Sequence, residues 1–547
     1  MKLSFLSYSA VLASSLSTTM SLSATASTND IMIRETFNRE AFHKGFHTVT
    51  SEECYEIEGN FPTDLTGTFF QNGHAKFQVG DEIVVHPFDG DGMVTAVTFA
   101  NGKAWFRNRF VQTPGYVEEL TAGKVRYRGM FGTAKNKGAW WSNIFDLKTK
   151  NLANTHVLYS NNHLYALWEG GKPFQLRPDT LQTIGDDAVD MEGSLGPAEN
   201  YAAHYKIDPD SGNIVNFAVG QDPSVSDPSK GHMFTVYEHS GKDLKLISKR
   251  KFALPGFGLA HDMAISKNYV CAFQAPVKFN VWPFVLGKKS VAECILSDKE
   301  ATAAKIFLLP RTGKEEVIEI EIPVAFTFHL SNAFEDKDGT FVVDAIMADD
   351  VNFADTESNK YPERPLWETF DLSTNAYQLR RYRIDLAQRK LLSVTTMSND
   401  ASANVEFPVI HPNYVSKPYQ YVYVGAGASI TVGQPTQGIS KIDVQQGRTV
   451  QKWLPESVDE FIGEVCFVPR GDDNAEDDGY LLAYKLNGIK EETTFCVFDC
   501  QNIAKGPICE APIPTFLSFA LHGTFVPGYV PDFHLTKKLF DEENNTK

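Results

Sequence analysis

One local phrase recurs along this chain and limits what it can fold into: an apolar residue, an aspartate, a polar turn and a second strand-like run. It occurs in IFDLKTKNLANTHVLY, YKIDPDSGNIVNFAV, YRIDLAQRKLLSVTT, SKIDVQQGRTVQKWL and CVFDCQNIAKGPICEA, with the aspartates at Asp146, Asp208, Asp385, Asp443 and Asp499. Their separations are 62, 177, 58 and 56 residues, and the 353 residues from first to last divide into six steps of about 59. A step of that size matches a four-stranded propeller blade with generous loops. Six steps imply seven repeats, so the phrase predicts an all-β chain, a seven-bladed β-propeller in which two blades carry a degraded phrase. The recurrence also has a local cause, because an aspartate caps a tight turn by accepting from backbone two residues on.

The remainder of the chain agrees. Most of its 547 residues form short runs of β-branched and aromatic residues punctuated by Gly, Asp, Asn and Pro, as in KPYQYVYVGAGASITVG. Hydrophobic residues make up 42%, with 39 Phe and 20 Tyr, enough to bury a large core. No stretch between residues 40 and 535 reads as a linker, which predicts one domain over 27–547. A balance of 51 basic against 68 acidic side chains gives a net charge of −17, which repels phosphate backbones and excludes nucleic acid as a partner class. No later run reaches the ~20 apolar residues of a membrane-spanning helix.

Residues 1–26 read as a targeting segment, with Lys2, the apolar run LSFLSYSAVLASSL and a small-residue site in SATAST. Export is one reading. A plastid or mitochondrial presequence is another, because the run is rich in Ser and Thr and lacks acids, and translation from Met20 would leave the chain in the cytosol.

Seven cysteines (Cys54, Cys271, Cys294, Cys466, Cys496, Cys500 and Cys509) include no CxxC pair. The odd, scattered count predicts reduced and mostly buried thiols, and the cluster CVFDCQNIAKGPIC lacks the paired spacing of a zinc site. The acidic run RGDDNAEDDG at 470–479 reads as a solvated turn between strands. A second departure is FQAPVKFNVWPFVLGKK at 273–289, which is apolar without clean alternation and ends in Lys288 and Lys289. It is either a buried irregular strand or a membrane-facing patch with a basic edge, formed by Phe279, Val281, Trp282, Phe284, Val285 and Leu286.

Four of the 14 histidines sit inside strand-like phrases: His204 in NYAAHYKIDP, His261 in GFGLAHDMAIS, His329 in AFTFHLSNAFED and His522 in FALHGTFVP. Taken singly, each is more simply a satisfied core histidine, since no HxxxH or HExxH pair occurs. The blade period changes that, because the spacings of 57 and 68 residues are about one blade and 193 is about three blades with a longer loop. Residues one blade apart on inner strands approach each other at the propeller axis. Four imidazoles there form a nitrogen-rich cage suited to Fe, Cu, Ni or Zn. A divalent ion in a neutral cage calls for carboxylates behind the rings. Three glutamates lie in apolar surroundings, Glu169 in LYALWEGGKPF, Glu406 in NVEFPVIHP and Glu464 in IGEVCFVPR; alternatively, each pairs with a surface Lys or Arg.

The blocks HPFDGDGMV, ALWEGG, AHDMAIS, FHLSNAFED, EFPVI and HGTFV, in this order, resemble those of the carotenoid cleavage oxygenase family over about Phe69 to Val526. The resemblance implies a seven-bladed propeller with a cap of loops and helices over an iron-bearing axis. It implies Fe(II) bound by His204, His261, His329 and His522, with Glu169, Glu406 and Glu464 each orienting one ligand and no glutamate behind His204. It implies no catalytic side chain beyond that metal site. The implied reaction uses O2 to split a conjugated C=C bond of an apolar polyene into two carbonyl products, in a dry tunnel that positions one bond near the metal.

Two positions depart from the family pattern. His74, in QNGHAKF, stands where the family has proline, and Trp168 stands where stilbene-cleaving members carry a lysine before the first glutamate. The second departure favours a carotenoid or apocarotenoid, because a missing polar partner is a strong specificity element. A stilbene dioxygenase, a retinoid-type isomerohydrolase that keeps the same iron site, and a non-enzymatic propeller scaffold are the alternatives.

Overall fold

The structure is a computed structural model, and it describes residues 37–132, 140–349, 376–398, 402, 404–430, 433–471 and 475–545. Residues 1–26, expected to be a targeting segment, and Met20 lie outside the described residues, as do positions 472–474 of the acidic run.

Seven antiparallel sheets follow one another around a ring. Blades three to six each have four strands, laid down from the inner strand outward. Their inner strands are Lys206–Ile207, Ala264–Ile265, Phe326–Glu335 and Val405–Val409. Blade two has three strands and begins at His156–Ser160, and blade seven begins with Glu460–Ile462 and Cys466–Pro469, both of which pair with Gly479–Asn487. Blade one closes the ring. Its inner strand, Gly523–Pro527 from the C-terminal end, pairs with Gly67–Lys76, and Cys54–Ile57 forms its outer edge.

Strand periodicity explains why the sheets stack face to face. Neighbouring residues of one strand point to opposite faces, so a strand between two blades buries both. Val342 and Ile346 pack with Val422 and Val424 of blade six, whereas Val343 and Ala345 pack with Ile306 and Leu308 of blade four. The whole strand Thr340–Ala348 is therefore buried and apolar apart from Thr340 and Asp344, the latter paired with Arg381. Each of the seven junctions between successive blades holds a cluster of this kind.

The number of blades predicted from the repeat is correct, but the phrase that predicted it marks unlike positions. Asp385, Asp443 and Asp499 end the third strands of blades five, six and seven, and each accepts from backbone N–H groups two or three residues on. Asp208 caps the first hairpin of blade three instead. Asp146 lies outside any strand, after the short turn Trp140–Asn143. Only the steps of 58 and 56 residues thus measure a blade; the other two join positions that the local aspartate turn makes look alike.

The helix Arg39–Lys44, capped by Asn38, packs on the segment that leads into His522. Phe519 lies against Phe42 and Phe46 with ring centroids 5.4 and 4.9 Å apart, and its N–H donates to the carbonyl of Gly45. All seven cysteines are free, six of them buried. The described residues of the acidic run lie between Cys466–Pro469 and Gly479–Asn487, where Arg470 pairs with Asp478 and Asp477 with Lys441.

Candidate metal centre

Each blade brings its innermost chain to the axis, and the residues entering those strands meet there. His522, His204 and His261 immediately precede or approach the inner strands of blades one, three and four. His329 lies within the inner strand of blade five, where the register slips between Thr327 and Leu330. A bulge of this kind re-aims a side chain that regular alternation would send elsewhere. The four ligand nitrogens all lie within 4.8 Å of one another, and this is the one such group among the described residues.

The carboxylates stand behind three of the rings. Glu169 Oε1 is 3.0 Å from His261 Nδ1, Glu406 Oε2 is 2.6 Å from His329 Nδ1, and Glu464 Oε1 is 2.8 Å from His522 Nδ1. With Nδ1–H donated outward, each Nε2 lone pair faces the shared centre. Glu464 Oε2 also accepts from the N–H of Gly523 at 3.0 Å, and a Cβ on Gly523 would come within 2.6 Å of the Phe69 ring. Glu406 sits at a second slip of register, between Glu406 and Val409, where Phe407 takes a positive φ of 56°. His204 has no glutamate behind it: its Nδ1 is 4.0 Å from Asp262, which is paired with Lys206 at 2.8 Å.

Burial, and then the neighbouring imidazoles, push the pKa of His204 well below the ordinary value, and burial also lowers that of His329. Both rings are therefore neutral, each with one nitrogen lone pair. For His261 burial acts downward, but the facing Glu169 carboxylate outweighs it and the pKa rises. Burial acts upward on Glu169 and Glu464, and their histidine partners outweigh it, so both carboxyls are held below the usual range.

The residues fit a divalent metal ion. His329 Nε2 is buried and has no hydrogen-bond partner, and His204 Nε2 and His261 Nε2 face each other at 2.9 Å. An unpartnered buried nitrogen costs about 1–3 kcal/mol, and a cation at the centre would satisfy it. A cavity of about 790 Å³ reaches His204, His329 and His522, with Tyr205, Phe407 and Phe525 in its wall and Asp64 and Arg470 farther out.

The family model described as "Retinal pigment epithelial membrane protein" matches residues 45–527. The chain belongs to that family. The apocarotenoid-15,15'-oxygenase of Synechocystis is 35% identical over 90% of this chain and 97% of its own length. Resveratrol cleavage oxygenase 1 of Chaetomium globosum is 29% identical over 86% of this chain and 84% of its own length. A cobalt-substituted Synechocystis apocarotenoid oxygenase superposes with a TM-score of 0.82 at 34% identity, covering 90% of this chain and all of that one. The family membership agrees with the carotenoid-oxygenase blocks in the sequence and with the propeller fold.

One axial residue carries no signal in the sequence. His156, at the start of the blade-two strand, lies at the wall of the same cavity. Its 48-residue distance from His204 falls short of a blade step, because blade two has only three strands. Of the apolar segment 273–289, Phe284 is buried under Arg128, whereas Trp282 is 66% exposed and Leu286 lies at the surface. The segment is therefore neither wholly buried nor wholly a patch.

Proposed function

We propose that the chain is a non-haem Fe(II) dioxygenase that cleaves a conjugated C=C bond of a carotenoid or apocarotenoid with O2, giving two carbonyl products. The observation that carries this reading is the convergence of His204, His261, His329 and His522 with three carboxylates behind them. Iron held there would supply the one-electron chemistry that O2 needs. The protein's part is to hold four neutral nitrogens in place, offset the ion's charge with the three carboxylates behind the rings, and exclude water. Four nitrogen ligands would leave a bound iron room to take O2 beside a double bond. A four-histidine set distinguishes iron poorly from Co, Ni, Cu or Zn on donor type alone, so the metal is to be established by loading.

The substrate class rests on Trp168, a buried aromatic side chain beside Glu169 where a stilbene-cleaving site would place a lysine. Turnover of a β-apocarotenal by the Fe(II)-loaded chain, with hydroxylated stilbenes as the competing substrate, tests it. Aldehyde fragments from the polyene alone support the reading, and cleavage of the stilbene alone overturns the substrate assignment.

An apolar substrate of this kind partitions into membranes, and the surface offers a contact. Trp282 and Leu286 are joined there by Phe145, which is 74% exposed and whose N–H donates to the Val285 carbonyl. Arg128 fixes the two segments by donating to the carbonyls of Asp146, Phe284 and Lys289. Removing both aromatic side chains, Phe145→Ser with Trp282→Ser, should lower partition onto phosphatidylcholine vesicles about tenfold or more. Equal flotation of the two proteins would dismiss the contact.

A further inference from the structure

The ring of inner strands carries a fifth imidazole that the proposed metal site does not use. His156 stands between two of the candidate ligands, its ring centroid 5.5 Å from that of His522 and 6.1 Å from that of His204. Its nitrogens do not join the convergent set. They face backbone carbonyls instead: Nδ1 lies 2.9 Å from the oxygen of Ala203, the residue before His204. Nε2 lies 3.3 Å from the oxygen of Gly523, the residue after His522. A neutral imidazole carries a single N–H, and the shorter contact assigns it to the Ala203 carbonyl.

The ring is held on its other sides as well. One face stacks on Tyr205 at 5.0 Å with an interplanar angle of 19°, and the Tyr205 hydroxyl donates to the Val157 carbonyl. Asn72 Nδ2 donates to the carbonyl of His156 at 3.0 Å, and the Asn72 N–H donates to the carbonyl of His522 at 3.0 Å. His156 thus holds the backbone before His204 through that N–H and packs against the backbone after His522, from a fixed mount. His204 is the ligand with no glutamate behind it, its Nδ1 lying 4.0 Å from an Asp262 carboxylate that Lys206 pairs with, so its ring direction depends on where the backbone at Ala203 is held.

We propose that His156 is a positioning residue for the metal centre, fixing the backbone that carries His204 and so supplying to His204 the support that glutamates give the other three. The proposal rests on the metal reading above, and its test keeps the two apart. The probe is Co(II), loaded into the unaltered chain and into His156→Leu, which keeps bulk and removes the N–H, and His156→Asn, which keeps a donor near the Nδ1 position. Release of Co(II) to a chelator should be about tenfold faster in His156→Leu, with a shifted visible absorption band, and largely restored in His156→Asn. Melting of the metal-free chains separates packing from positioning. Positioning reduces the rise in Tm on adding Co(II), whereas a packing role lowers the metal-free Tm and leaves that rise intact. Co(II) release and absorption in His156→Leu equal to those of the unaltered chain would overturn the proposal alone. Failure of the unaltered chain to bind Co(II) would overturn the metal reading together with it. Should His156→Leu not fold, His156→Ser is read in the same way.

Discussion

Each glutamate-backed histidine at the axis uses one nitrogen to face a carboxylate and the other to face the centre, so removing either partner has a distinct signature. His261→Ala is expected to abolish metal retention and activity. Glu464→Gln, which keeps an acceptor but removes the charge, should weaken metal binding about ten- to a hundredfold, measured by competition with a chelator. Unchanged metal content in both would contradict the assignment. The pH dependence follows from His261, whose pKa lies above its ordinary value in the metal-free protein. Near pH 6 a metal must displace a proton from that ring, and above the raised pKa it need not. Affinity should therefore rise with pH through the neutral region and then level off, with fewer protons released per metal bound at pH 8.5 than at pH 6 when calorimetry is run in buffers of different ionisation enthalpy. The residues of this cage were legible in the sequence because a polar side chain in an apolar strand phrase is conspicuous, and because the family blocks name the same positions. Their pairing was not legible from spacing, since Glu169 and His261 are 92 residues apart.

Among the elements, the inner strands depart from regularity where the chemistry needs it. The slips of register beside His329 and at Glu406 turn their side chains toward one another. Gly523 meets a tighter demand: a side chain there would press on the Phe69 ring at 2.6 Å and the Phe70 carbonyl at 2.8 Å. Gly523→Val should destabilise the fold by about 1–3 kcal/mol and displace His522, read as a lower Tm together with lost metal. A stable variant that keeps its metal would show that the crowding relaxes without consequence. The aspartate phrase shows what sequence could and could not give at this scale. An Asp-capped turn forms wherever a hairpin needs one, so Asp208 and Asp146 look like Asp385 without being its equivalents. Bulges gave no signal, because they depend on which strands pair.

For the whole molecule, function follows from closure. Seven blades, each burying both faces of its central strands, bring distant positions of the chain onto one axis, and the pairing of Gly523–Pro527 with Gly67–Lys76 locks the ring. The predicted ring size is right although two of the four separations behind it join unlike positions, whereas the three-stranded blade two and the place of His156 beside the cage were not readable. A chain ended after Leu521 lacks both His522 and the closing strand, and should lose cooperative unfolding as well as metal. The most direct test of the central claim is metal content of the chain purified anaerobically and loaded with Fe(II), followed at once by turnover of a β-apocarotenal under O2 with products identified by mass. The account predicts about one iron per chain and two carbonyl fragments. A folded chain that retains no iron and leaves the polyene intact would contradict it.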